Sequence, residues 1–178
     1  GHGVGGGVGI QARPLPGLYL GASYRSRLKV DFAGDAHFGA PDTLSDRSIF
    51  HDQAMETSFT TPDVFGFGVG YDIMPWLYTE FDLHYTMWSV NESLDITFPD
   101  DTTGLLSSSN ANDWKDTLTY RLCFEFTYVR DLAIRVGGGF DDNPVPDTTL
   151  SPTLPDADRI FAGLGAQYLI RSIGLDIA

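Results

Sequence analysis

Hydrophobic and polar residues alternate with a period of two along much of this chain, in segments of about ten residues, the length a tilted strand needs to cross a bilayer. Over Leu18 to Phe32, one face carries Leu18, Leu20, Ala22, Tyr24, Leu28, Val30 and Phe32, and the other carries Ser23, Arg25, Arg27, Lys29 and Asp31. From Leu77 to Trp88, Leu77, Phe81, Leu83, Tyr85 and Met87 oppose Glu80, Asp82, His84 and Thr86. From Thr117 to Tyr128, Leu118, Tyr120, Leu122, Phe124, Phe126 and Tyr128 oppose Thr117, Thr119, Arg121, Cys123, Glu125 and Thr127. Successive side chains of a strand point to opposite faces, so each segment predicts a strand with one apolar side. Tyrosines towards the ends of the last ladder suit a membrane-interface girdle.

Weaker strands are predicted at Gly3–Gln11, Val64–Tyr71, Leu132–Phe140, Ile160–Tyr168 and Ile173–Ala178, for about eight in all. The connections alternate in length. Arg13–Pro16, Ile73–Trp76, Val129–Asp131 and Ile170–Ser172 read as tight turns, whereas Ala33–Thr61, Pro99–Asn112 and Asp141–Asp158 read as long polar loops. Short turns on one rim and long loops on the other are the pattern of an antiparallel transmembrane barrel. Periodicity alone does not say which face is inside. A soluble lipid-binding barrel with its apolar face inward has the same period.

Composition narrows the partners. The chain has 178 residues and a net charge of −13, so phosphate neutralisation cannot drive binding and nucleic acid is excluded as a partner. Mean hydropathy is −0.09, with no helical transmembrane stretch. Twenty glycines, twelve phenylalanines and eight tyrosines beside 20% charged residues fit an all-β class. The single Cys123 rules out an internal disulfide and a site built on several thiolates. The sequence opens on Gly1 without a charged and then apolar leader, which is read as processing or truncation of an exported protein.

Three groups of residues carry a family resemblance. They are Asn112-Asp113-Trp114-Lys115-Asp116-Thr117 opening a strand, Gly137-Gly138-Gly139-Phe140-Asp141 followed by Asn143-Pro144-Val145-Pro146-Asp147, and Leu154-Pro155-Asp156-Ala157-Asp158-Arg159. In order and spacing they resemble the C-terminal half of FadL/TodX-type outer-membrane transporters. Upstream, Leu20 to Ser26, Thr61-Pro62-Asp63-Val64 with Gly68-Val69, and Tyr85 to Ser89 are similar to successive strands of the same family. The resemblance implies a monomeric barrel of roughly fourteen strands around an N-terminal hatch. About eight strands are expected here. Residues 1–178 are thus expected to be a partial barrel domain without the hatch and the first strands. The implied task is passive uptake of long-chain fatty acids or other hydrophobic molecules in the outer membrane of a Gram-negative cell, in contact with lipid and lipopolysaccharide. It requires no cofactor and no catalytic residue, so no enzymatic activity is expected.

Parity places Arg25, Arg27, Lys29, His84, Arg121, Glu125, Arg135 and Asp141 on the inward face, where cations could steer a carboxylate or simply pair across a wet interior. Arg25, Arg27 and Lys29 are expected on one stripe. Asn143, Pro144, Val145, Pro146 and Asp147 are expected to form a rigid loop at the outer rim, because two prolines restrict the backbone. The acidic loop residues Asp35, Asp42, Asp46, Asp52, Asp100, Asp101, Asp142, Asp147, Asp156 and Asp158 favour solubility and could form cation-bridged contacts with lipopolysaccharide phosphates. Gly1 to Gly6 spells a dinucleotide-binding pattern but neither follows a strand nor opens a helix. His37 with Asp35 and His51 with Asp52 match no metal-ligand spacing, so no metal is assigned. Asn91-Glu92-Ser93 is a glycosylation sequon that an outer-membrane setting leaves unused. A lipid-hydrolysing barrel would need Ser and His together at the outer rim, whereas His84 falls in mid-strand on the inward face.

Overall fold

The computed structural model describes residues 2–39, 52–101, 104–150, 156–170 and 173–177, apart from the side chain of Ile173. Calls on Gly1, Asp42, Asp46, His51, Leu154, Pro155, Ser172 and Ala178 lie outside the described residues. Twelve strands are present among those described: β1 (Gly7–Leu15), β2 (Leu18–Arg25), β3 (Leu28–Ala36), β4 (Gln53–Thr61), β5 (Val64–Met74), β6 (Leu77–Thr86), β7 (Ser93–Thr97), β8 (Ser108–Ala111), β9 (Thr117–Phe126), β10 (Leu132–Asp141), β11 (Arg159–Ile170) and β12 (Ile173–Ile177). A single 3-10 turn, Trp88–Val90, is the only helical element among the described residues. Among the described residues no helix is long and apolar enough to cross a membrane.

Eight strands form one antiparallel sheet in the order β1-β2-β5-β6-β9-β10-β11-β12. The expected all-β antiparallel architecture is present. The sheet is open, with β1 and β12 as its edges. Its tight turns join β1 to β2 at Pro16-Gly17, β5 to β6 at Pro75-Trp76 and β9 to β10 over residues 127–131. Gly17 has φ +77°, a left-handed conformation that glycine adopts without steric cost. The first turn sits later than predicted, because Arg13 belongs to β1.

The connections at the other end are not plain loops. They hold a second antiparallel sheet in the order β3-β4-β7-β8, stacked end-on above β2-β5-β6-β9 in the same lateral order. The pairing Arg25 with Val64 is resumed by Leu28 with Thr61, so β3–β4 continues the register of β2–β5 across a two-residue gap. The predicted strand Leu18–Phe32 is therefore two strands in two sheets, and the predicted loops 33–61 and 99–112 contain β4 and β8.

Side chains close the seam between the sheets. Asp63, only 4% exposed, accepts from the Tyr24 hydroxyl (2.7 Å), the Arg27 backbone N–H (2.9 Å) and Arg27 Nε (2.7 Å). Its own carbonyl accepts from the Met87 backbone N–H at 3.0 Å. Buried Asn91 ties the next strands, accepting from the Thr60 backbone N–H, donating to the Thr60 carbonyl and accepting at its carbonyl from Asn112 Nδ2. Burial of polar groups at this level is tolerable because each finds a partner.

The large sheet inverts the usual core. Val145, 6% exposed, is the only buried hydrophobic residue among those described. On one face of the sheet Ile10, Phe67, Val69, Phe81, Leu122, Ile134 and Leu164 stand exposed, Leu122 at 44% and Leu164 at 75%. An exposed apolar surface of this extent has lipid or another apolar phase as its natural neighbour.

Candidate pore wall

The face opposite the apolar one is built from alternate residues of the same strands. Register puts Gly9, Gln11 and Arg13 of β1 beside Tyr19, Gly21, Ser23 and Arg25 of β2, then Gly66, Gly68 and Gly70 of β5, then Tyr78, Glu80, Asp82 and His84 of β6. Thr119, Arg121, Cys123 and Glu125 of β9 and Arg135 and Asp141 of β10 continue it. Every polar residue assigned inward by parity in β6, β9 and β10 falls on this face.

Its first half is a trough of about 790 Å³. The glycine row of β5 forms the floor, because side chains of β6 and β2 lie over it. A Cβ at Gly66 would meet Ser23 Oγ at 2.6 Å, and one at Gly68 would meet Asp82 Oδ1 at 2.8 Å. At the tight-turn end Tyr19 and Tyr78 pack edge to face, with ring centroids 5.8 Å apart, and the Arg13 guanidinium lies 4.2 Å from the Tyr19 centroid. Arg13 also donates to the Tyr19 hydroxyl, which is 3.3 Å from Asp72 Oδ2.

The second half is cross-linked by charge. Arg135 donates to Glu125 (2.6 Å) and to Gln167 (3.2 Å) and lies 3.7 Å from Asp176, so one guanidinium joins β9, β10, β11 and β12. Asp141 accepts from Thr119 Oγ1 (2.6 Å) and Arg159 (3.1 Å). Arg135 therefore stands as a structural cross-link within the wall. The sequence pattern marks its face but not its partners, which only the register supplies.

The three cations of the expected stripe are divided among β2, the seam and β3. Arg25 lies on the polar face of β2, but Arg27 sits in the seam, its guanidinium drawn to Asp63, which also binds Tyr24 from the apolar face. Lys29 is in the other sheet, 3.2 Å from Asp31. His84 and Arg121 are on the polar face beside Gly66 and Asp82 respectively, and His84 Nδ1 is buried without a hydrogen-bond partner. The break at Ser26-Arg27 was invisible in the sequence because parity runs through it.

The Asn143–Asp147 loop is ordered by its own bonds. Asn143 Oδ1 accepts from the Val145 N–H (2.8 Å), and Asn143 Nδ2 donates to the Val145 carbonyl (3.0 Å). The Pro144 carbonyl accepts from the Lys115 N–H at 3.0 Å, which docks the loop on the segment before β9. Pro144 and Val145 are buried while Asp147 is exposed. Trp114 of that segment packs edge to face with Trp88, centroids 5.6 Å apart. Elsewhere His37 is bonded to Asp52 at 2.7 Å, which holds its pKa above the ordinary value.

Comparison with known proteins agrees with this layout. The family model described as outer membrane protein transport protein (OMPP1/FadL/TodX) matches residues 1–178. The long-chain fatty acid transport protein of Escherichia coli (strain K12) is 28% identical over 158 residues, covering 82% of this chain and 34% of its own length. The chain thus spans about a third of the length of the curated relatives it matches. Two solved structures share the fold: a Pseudomonas aeruginosa FadL homologue (TM-score 0.83, 19% identity, covering 97% of this chain and 42% of that one) and the CymD monoaromatic hydrocarbon channel (TM-score 0.68, 18% identity, 96% and 43%).

Proposed function

The chain belongs to the OMPP1/FadL/TodX family of outer membrane transport proteins, and from that premise we propose that its large sheet is one wall of a passive channel for hydrophobic small molecules. The observation that carries this reading is the opposition of the two faces: an exposed apolar face suited to lipid, and a polar face holding a trough of about 790 Å³. A soluble lipid-binding barrel would instead bury that apolar side.

Such a channel requires a wet path through an apolar phase and no bond chemistry. Arg25, His84, Arg121 and Arg135 stand along the wall of that path, and the Asn143–Asp147 loop braces the end where the second sheet begins. Flanking segments of a longer, monomeric protein supply the hatch and the strands that close β1 and β12. The acidic second sheet and loops face the lipopolysaccharide layer. The ligand, a fatty acid or a hydrocarbon, moves down its own gradient.

The test is uptake by liposomes carrying the full-length protein. Entry of a labelled long-chain fatty acid or of an aromatic hydrocarbon is expected to exceed that of protein-free liposomes, to saturate with concentration and to need no energy source. Rates equal to those of protein-free liposomes for both ligands would overturn the channel reading.

A further inference from the structure

The charges around the trough are unevenly settled. Facing it are Arg13 from β1, Glu80, Asp82 and His84 from β6, with Asp72 at its tight-turn end and Arg121 of β9 across from Asp82. Arg13 is held on the Tyr19 ring, and Asp72 accepts from the Tyr19 hydroxyl. Elsewhere on the polar face, Arg135 is taken by Glu125 and Asp176, and Arg159 by Asp141 and Asp156. Glu80 has a hydroxyl partner, Tyr78 at 2.6 Å, but neither Glu80 nor Asp82 has a cation within ion-pair distance among the described residues. Arg121 stands opposite Asp82 in register without closing that pair.

The same two carboxylates border the glycine floor. Gly68 and Gly70 are their register partners, so no side chain from β5 separates them from whatever occupies the trough. A group passing over Gly68 meets Asp82 directly. An anion there would experience repulsion that the protein wall screens less than bulk water does, whereas an uncharged apolar molecule would not.

We propose that Glu80 and Asp82 make this wall a charge filter, which passes uncharged apolar molecules and slows anionic ones. The inference rests on the channel reading above and names the ligand class that this trough selects.

The experiment compares uptake of toluene, as an uncharged probe, with that of a long-chain fatty acid anion by the full-length protein in liposomes, for the natural sequence and for Glu80→Gln with Asp82→Asn. The double variant is expected to raise fatty acid uptake about tenfold and leave toluene uptake within about twofold. In the unsubstituted protein, raising ionic strength is expected to speed the fatty acid and not toluene, since salt screens only the charged encounter. That arm keeps the inference testable if the double variant fails to insert. Fatty acid uptake insensitive to both the substitutions and salt would overturn the filter. Uptake of neither probe by the natural sequence would overturn the channel reading itself, and the filter with it.

Discussion

The two sheets of this protein share a lateral strand order and, between β2–β5 and β3–β4, a continuous register, yet they are different kinds of surface. Below the seam, strands of 10 to 12 residues such as β6, β9 and β11 expose apolar side chains along one whole face. Above it, β7 reads Ser-Leu-Asp-Ile-Thr and β8 reads Ser-Ser-Asn-Ala, too short to span a bilayer and without an apolar row of useful length. Backbone pairing is common to both, so the backbone does not specify the environment. What specifies it is which side chains the ladder presents, and by β7 and β8 lipid-compatible residues have given way to water-compatible ones.

The largest effect that would break this comparison comes from placing one charge on the apolar face. Leu122→Arg is expected to cost about 2–4 kcal/mol if the residue sits near the bilayer midplane. Asn110→Arg on exposed β8 of the upper sheet is expected to stay within about 0.5 kcal/mol. Reversible unfolding of the full-length protein from lipid vesicles measures both. Its sequence neighbour Cys123 lies on the opposite face, so a small water-soluble thiol reagent should label it in the inserted protein. A harmless Leu122→Arg together with an unreactive Cys123 would mean that the faces are assigned the wrong way round.

A smaller effect probes the seam. Removing the carboxylate in Asp63→Ala strands the Tyr24 hydroxyl and the Arg27 N–H, and should cost about 1–3 kcal/mol. The exposed Glu56→Ala of β4 should cost about 0.5 kcal/mol or less. The pH dependence has a definite sign. Hydrogen bonds from the Tyr24 hydroxyl and the Arg27 N–H, helped by the guanidinium, hold the Asp63 pKa below its ordinary value. The stabilisation is therefore fully present above the unfolded-state pKa of about 4 and is lost as pH falls from there through the folded value. Amide exchange at Arg27 should accelerate over that acidic window in the natural protein. In Asp63→Asn it should be fast throughout, and a profile unchanged by the substitution would remove Asp63 as the clasp.

Much of the lower sheet was legible because Leu118 to Phe126 and Phe81 to Tyr85 repeat large apolar residues at every second position, a signal that composition alone rarely produces. Strands β4 and β8 were not legible for the complementary reason. Gln53-Ala-Met-Glu-Thr-Ser-Phe-Thr-Thr61 and Ser108-Ser-Asn-Ala111 carry polar residues on both faces, so they read as loop. Parity grouped Glu80, Asp82, His84 and Arg121 on one face, where the register keeps them together opposite the apolar side chains. It could not find the trough, because that depends on Gly66, Gly68 and Gly70 lying in register beside β6. Nor could it show that Arg27 pairs with Asp63, which is 36 residues away in sequence.

The smallest expected effect concerns the brace between the regions, the Asn143–Asp147 loop. Its two prolines fix φ, and the loop's ring of bonds through Asn143 and Val145 leaves little for the folded state to adjust. Pro144→Gly with Pro146→Gly should therefore act mainly by enlarging the freedom of the unfolded chain, at about 0.4–1 kcal/mol for each site. The folded contact most exposed to loosening is the Pro144 carbonyl on the Lys115 N–H, which couples the loop to the segment carrying Trp114 and leading into β9. If the loop braces the channel mouth, the double variant should insert normally, show faster amide exchange at Lys115, and alter uptake of both charged and uncharged ligands alike, since no charge is changed. A purely local stabiliser predicts the stability loss alone, with exchange at Lys115 and uptake untouched. Because the glycine variant keeps every side-chain charge, it also separates mechanical bracing from the Glu80 and Asp82 filter, whose loss should discriminate between ligands by charge.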